Sequence, residues 1–220
     1  MIYQCYPFKK DRINVFPEEP YKGFGLEPEV NKLLTLNCPE LKDPFVRLQL
    51  TEYACFLWHW RNPGYDSDSW FGTTSHRQLE KFEHVFKSKK EVRDAISHTG
   101  VTAWGEYHLV GETTAPISLH EQTERCHPGL NEYIEFMLEK FGHNMPAQWA
   151  TEQKGFYANY WVMTKELFDD FMEFSWPMVK WSLENIKITH YYAIQPNYGT
   201  VSNQKATGYF MERLFLLWYL

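Results

Sequence analysis

Hydrophobic and polar positions along this chain change period several times, and each change marks an element. In "LTEYACFLWHWRN", Tyr53, Phe56, Leu57 and Trp60 recur at i, i+3, i+4 and i+7, which predicts one apolar helical face ended by Asn62, Pro63 and Gly64. In "GLNEYIEFMLEKFG", Leu130, Tyr133, Ile134, Met137, Leu138 and Phe141 keep the same spacing, with Gly142 placed as a C-terminal cap. "KELFDDFMEF" reads as a helix capped by Thr164, with a break or kink at Pro177. "GYFMERLFLLWYL" reads as a last helix, and Leu79, Phe82 and Phe86 as one more.

Between these lie strand patterns: "MIYQCYPF", "SWFGTTS", "GVTAWGEYHLVG", "FYANYWVM" and "KITHYYAIQP". The Pro- and Gly-rich "PEEPYKGFGLEPEV" predicts a long irregular loop, and a polar loop comes after "GVTAWGEYHLVG". Strands alternating with helices predict an α/β layered domain. With 220 residues and neither repeat nor low-complexity linker, residues 1–220 are read as a single domain. Because the chain ends inside an apolar helix, it is also read as one domain of a longer protein.

Composition narrows the function. Hydrophobic residues make up 44% and charged residues 23%, values of ordinary globular proteins. The net charge of −6 argues against nucleic-acid binding, which needs many phosphate-neutralising cations. No apolar run predicts a transmembrane segment and no signal-peptide pattern follows Met1, so the expected location is cytoplasmic. Cys5, Cys38, Cys55 and Cys126 show no CxxC spacing and read as reduced thiols. The tract Lys87 to Lys90 reads as a solvated helix face. Aromatics reach 18%, which suits a ring-shaped ligand as well as an aromatic core.

Candidate chemistry gathers in a few places. The strand "SWFGTTS" runs into Ser75, His76, Arg77 and Gln78, and in open α/β sheets ligands bind where strands end. Arg77 offers a fork for phosphate oxygens; the competing reading is a surface ion pair with His76 in the core. Asp66 and Asp68 form an Asp-x-Asp pair suited to a hard cation, but they precede the strand and read more readily as a solvated turn. Glu212 and Arg213, early in the last helix, read either as a solvated pair or as a general base with its orienter. Glu106 and His108 are a fallback metal pair. His120, Cys126 and His127 lack the second cluster a zinc site needs.

Three stretches together resemble a family of GT-A-like glycosyltransferases associated with capsular and lipopolysaccharide polysaccharide synthesis, much of it filed as a domain of unknown function. "LTEYACFLWHWRN…SWFGTTSHRQ" is similar to the family's helix leading into a strand that ends in His-Tyr-Arg-Arg. "YANYWVMTKELFDDFMEFSWPMV" is similar to its Asn-containing strand and Lys-Glu-Leu-Phe helix, and "GYFMERLFLLW" to its Glu-Arg-Leu-Phe block. Ser75 and His76 stand where the family prefers His and Tyr, and Gln78 replaces its second Arg.

The resemblance implies a GT-A-like nucleotide-binding sandwich, a central mixed sheet flanked by helices. It implies transfer of a sugar from a nucleotide-sugar donor to a glycan or other hydroxyl acceptor. Ser75, His76, Arg77 and Asn159 would bind the donor, Glu212 would act as base, and Arg213 would hold the carboxylate or the phosphate. Arg77 would stand at the diphosphate in place of a metal, so no cofactor is expected, with Mn or Mg at Asp66 and Asp68, or at Glu106 and His108, as the alternative. The rival reading is a non-catalytic carbohydrate- or nucleotide-binding module, followed by a zinc-stabilised interaction domain.

Overall fold

A computed structural model describes residues 1–7, 12, 15–78, 85–103, 107–108, 116–156, 159–192 and 206–220. The chain divides into two compact units, one of Met1–Gly105 with Ala158–Met172, the other of Glu106–Tyr157 with Glu173–Leu220.

The first unit is built on a five-stranded sheet. Strands β1 (Ile2–Tyr6), β2 (Tyr21–Gly25), β3 (Trp70–Ser75), β4 (Val101–Ala103) and β7 (Trp161–Thr164) lie in the order β2-β1-β3-β7-β4. β1 runs parallel to both β2 and β3, whereas β7 is antiparallel to β3 and β4, so the sheet is mixed. Every residue of β1 and β3 is buried, as expected of strands covered on both faces. On one face Ile2, Tyr21, Trp70 and Val162 pack with Val92 and Ile96 of a short helix, α3 (Lys89–Ile96). On the other lies an aromatic layer. Phe71 stacks on Phe168 with centroids 4.2 Å apart, and Phe56 packs on Trp161 at 4.9 Å. Phe56 comes from α2 (Tyr53–Arg61), which comes after α1 (Pro44–Leu50) and ends where expected, with the Asn62 amide donating to the Trp58 carbonyl at 2.8 Å.

Close packing explains the glycine in the middle of β3. A methyl group on Gly72 would fall 2.6 Å from Val162 Cγ2 and 3.0 Å from Ile2 Cγ1, so no side chain fits between β1 and β7.

The second unit is largely helical. It contains α4 (Leu119–Cys126), α5 (Leu130–Lys140), the part of α6 (Lys165–Glu184) beyond Met172, α7 (Ile186–Tyr192) and α8 (Ala206–Tyr219), with a small antiparallel pair of β5 (Tyr107–His108) and β6 (Lys154–Gly155). Tyr133 of α5 sits at its centre. Its hydroxyl lies 2.6 Å from Ser182 Oγ and 3.0 Å from Thr189 Oγ1, and its ring meets Phe210 edge-on at 5.1 Å. Gly142 adopts φ +78°, the left-handed cap its position implied. Thr164 Oγ1 accepts from the Leu167 amide at 3.4 Å at the start of α6, which continues through Pro177 without ending.

Three expectations require correction. Residues 21–25, read as part of a loop, form the edge strand β2. Its glycines look like turn signals but meet close neighbours: a methyl on Gly23 would lie 3.1 Å from the Tyr6 ring, and one on Gly25 only 2.5 Å from Val30 Cγ2. "KITHYY", read as a strand from its alternation, is the helix α7, where Thr189 Oγ1 donates back to the Ser182 carbonyl at 3.0 Å. The stretch read as a polar loop contains α4, started by Ser118 Oγ accepting from the Glu121 amide at 3.1 Å. Only Leu119 and Thr123 of α4 are buried, too few for a periodic signal. Lys89 and Lys90 do open a helix, α3. The helix expected from Leu79 and Phe82 lies outside the described residues; Phe86 is buried in the core without being helical.

Candidate functional site

β1 and β3 run parallel and end side by side, with Gln4 opposite Thr74 and Cys5 opposite Ser75. β7 pairs antiparallel with β3, Thr73 opposite Trp161, so Asn159, two residues before Trp161, lies on the path that enters β7 at this end of β3. Four residues singled out in the sequence, Ser75, His76, Arg77 and Asn159, therefore lie at or next to the carboxyl edge of the parallel strands, where α/β sheets bind ligands.

Their side chains are not equivalent. Ser75 Oγ lies 2.5 Å from the Tyr160 hydroxyl and also accepts the Arg77 amide at 3.2 Å, so it ties the edge together. His76 is half-buried. Its backbone amide donates to the Cys5 carbonyl at 3.0 Å, and ring Nδ1 stands 3.3 Å from the same oxygen. The Nδ1–H tautomer makes that contact and turns Nε2 into an acceptor. Arg77 is exposed, whereas Gln78 is fully buried, its amide 3.4 Å from the Tyr21 hydroxyl. Asn159 is buried and held at φ +52°, a left-handed conformation that asparagine tolerates better than most side chains.

Beneath these residues lies a polar seam that the sequence reading missed. Gln4 is fully buried; its Oε1 accepts the Phe16 amide at 2.5 Å, while its Nε2 has no hydrogen-bond partner among the described residues. Its register partner Thr74 is equally buried, with Oγ1 lacking a partner among the described residues. Two orphaned polar groups on facing positions are costly in a core and more natural beside a ligand site. The available signal was a glutamine inside the otherwise apolar "IYQCY".

Asp66 and Asp68 lie before β3, at the opposite end of the strand from Ser75, and are partly buried and paired rather than fully solvated. Tyr3 donates its hydroxyl to Asp66 Oδ2 at 3.0 Å, the Met1 amine donates to Asp68 Oδ2 at 3.0 Å, and Lys89 Nζ stands 3.2 Å from the same oxygen. Burial pushes the Asp66 carboxyl up, but the Met1 amine, the Asp68 amide and the Tyr3 hydroxyl together outweigh it and hold it below the usual value. Burial, reinforced by Asp66, raises Tyr3 in turn. Glu106 lies outside the described residues, as does the His108 side chain.

In the second unit, Arg213 is almost fully buried on α8. Its Nε donates to Thr123 Oγ1 at 3.3 Å, and its terminal nitrogens stand 3.5 Å from Glu212 Oε2 and Gln122 Oε1. Glu212 keeps 38% of its side chain exposed, so it reaches solvent while touching a buried cation. His127 stacks on Tyr209 with centroids 4.1 Å apart; burial, then Arg213, pushes it down to about 3. Among the described residues no group of three His, Cys, Asp or Glu side chains is arranged to hold a metal, and no helix is long and apolar enough to cross a membrane. The four cysteines are free thiols.

No protein-family model matches the chain, and no curated protein does. Among solved structures, the WbbM bifunctional glycosyltransferase in its apo form is similar, with a TM-score of 0.62 at 15% identity. The likeness covers 99% of this chain and 41% of that one, so the chain spans about two fifths of the protein it matches. At that identity the likeness shows the fold. A mixed central sheet flanked by helices was the architecture expected, and the chain shares its fold with the matched part of that protein.

Proposed function

We propose that this chain is a glycosyltransferase, GT-A-like in fold, that moves a sugar from a nucleotide-sugar donor to a hydroxyl of a glycan acceptor. The observation that carries the reading is the placement of Ser75, His76, Arg77 and Asn159 at or next to one carboxyl edge, on a fold shared with a glycosyltransferase. Arg77 meets the donor diphosphate through its planar fork and neutralises the charge that develops as the sugar leaves. His76 and Asn159 supply further polar contacts to the donor, over the seam of Gln4 and Thr74.

Glu212 is the base. Its carboxylate takes the proton of the acceptor hydroxyl, the acceptor oxygen bonds to the anomeric carbon, and the bond to the diphosphate breaks with its electron pair leaving on the phosphate oxygen. Arg213 holds the carboxylate. In this scheme Arg77 stands in for a divalent metal, and polysaccharide synthesis is the setting the sequence resemblance suggests.

A thermal-shift panel of nucleoside diphosphates and nucleotide sugars, with EDTA or with manganese, tests the reading. A ligand at a hundred times its dissociation constant stabilises a fold by about 2.7 kcal/mol, a visible shift. A shift that persists in EDTA and is lost in Arg77→Gln supports both donor binding and the role of Arg77. A shift that needs manganese returns the metal. Binding without turnover on any donor identifies a binding module, and no shift at all refutes the donor site.

A further inference from the structure

A cleft lies along the outer edge of β2, in the first unit, and its lining includes none of Ser75, His76, Arg77 and Asn159. It encloses about 220 Å³, and its lining includes Tyr6, Arg12, Lys22, Gly23, Asn31 and Tyr65.

Three observations give it the character of an anion site. First, Arg12 and Lys22 both line it, and neither forms an ion pair with a described residue. Lys22 is held in place instead by rings, its Nζ 4.7 Å from the centroid of Tyr65 and 5.9 Å from that of Tyr3.

Second, backbone donors face the cleft. The Leu26 amide donates to the Tyr6 carbonyl at 3.0 Å, so even-numbered residues of this strand turn their backbone groups toward β1. The amides of Gly23 and Gly25 therefore point outward. The Asn31 amide on the Gly25 carbonyl, at 3.3 Å, marks the same direction. β2 is the outermost strand of the sheet, so no described strand pairs with those donors. Third, Gly23 carries no side chain to keep a ligand from the backbone, and Tyr65, 45% exposed, offers an apolar ring beside the cations.

We propose that this cleft binds an acidic saccharide, its carboxylate or phosphate received by Lys22, Arg12 and the outward Gly23 amide, with the sugar ring against Tyr65. The anion chemistry follows from the cleft itself; the saccharide part rests on the glycosyltransferase reading.

The test titrates the isotope-labelled full chain with glucuronic acid, glucose 6-phosphate, glucose and inorganic phosphate, following the Gly23 and Gly25 amide resonances. The expected result is a shift of both amides with one or both acidic sugars, saturating at least about tenfold earlier than with glucose or phosphate, and weakened about tenfold or more in Arg12→Gln/Lys22→Gln. The uronate and phosphate arms tell which anion is preferred. No shift with either acidic sugar at about 10 mM overturns the proposal. So does binding unaffected by the double substitution, or phosphate binding as tightly as the sugars. UDP in the same experiment separates this site from the donor site: if UDP shifts these amides and loses binding in the double variant, the cleft belongs to the nucleotide and the proposal falls while the transferase reading stands. Acidic-sugar binding here with no nucleotide binding anywhere keeps the cleft and removes the transferase reading.

Discussion

Ser75 and Tyr160, 85 positions apart in the chain, bring their hydroxyl oxygens within 2.5 Å at the edge where β3 ends and the path into β7 begins. Both residues are buried, so the bond has little competition from water. Tyr160→Phe removes one hydroxyl and leaves Ser75 with only the Arg77 amide as a described partner. The expected loss is about 1–3 kcal/mol, read as a lower melting temperature, with weaker donor binding because Arg77 follows Ser75 directly. Unchanged stability and unchanged nucleotide affinity would show that the bond does not position the edge.

Gly72→Ala tests the packing of the same sheet. The added methyl meets Val162 2.6 Å away and Ile2 3.0 Å away, both fully buried in the core. Overpacking of this kind costs about 1–3 kcal/mol. A thermal melt of the variant should fall by about 2–4 °C per kcal/mol. A melt equal to that of the parent would mean that β1 and β7 can part without loss.

Glu212 and Arg213 should respond differently to substitution although they are neighbours. Arg213 is 2% exposed and joins α8 to Thr123 and Gln122 of α4, so Arg213→Gln should lower stability by several kcal/mol, roughly as removal of a buried charged partner does. Glu212, 38% exposed, keeps a hydrogen-bonding oxygen for Arg213 when changed to Gln, so its melt should move by less than about 1 kcal/mol. If Glu212 is the base, turnover should fall by about 10²–10⁴ in that well-folded variant. Retained turnover would remove it from the chemistry.

The sequence was most legible where one periodicity met one clear environment. α5 buries a continuous apolar face, α2 and α8 are apolar and buried nearly all round, and β1 and β3 are covered on both sides, so apolar pattern and burial agree. It was least legible where packing overrode local preference. β2 carries glycines because Tyr6, Val15 and Val30 crowd it, and composition alone cannot separate crowding from a turn. α7 has β-branched residues that favour a strand locally, and Thr189 finds the hydroxyl of Tyr133 only in the folded unit. The place of Ser75, His76 and Arg77 at the end of a buried strand was legible from the pattern of "SWFGTTS". Gln4, Thr74 and Tyr160 were not, because their polar role depends on the register between strands that are distant in sequence.

Acid should weaken the fold, and the histidines set the window. His127 is pushed by burial, then by Arg213, from an ordinary 6.5 down to about 3, so it is neutral in the folded chain and protonated in the unfolded one between those values. The unfolded state then binds more protons, and stability rises with pH across that interval. The contribution is complete above 6.5 and is lost as pH falls toward 3. His59 acts in the same direction: burial, then the Met1 amine, Lys22 and Lys165, hold it well below its ordinary value. Asp66, also lowered, loses its contribution on further acidification. Melting temperatures measured from about pH 8 to about pH 5 should therefore fall below the ordinary histidine value. His127→Gln removes one titrating group and should flatten part of that slope, while the lost stacking on Tyr209 lowers the whole curve. A melt that holds steady or rises on acidification would show that neither histidine stays neutral in the folded chain.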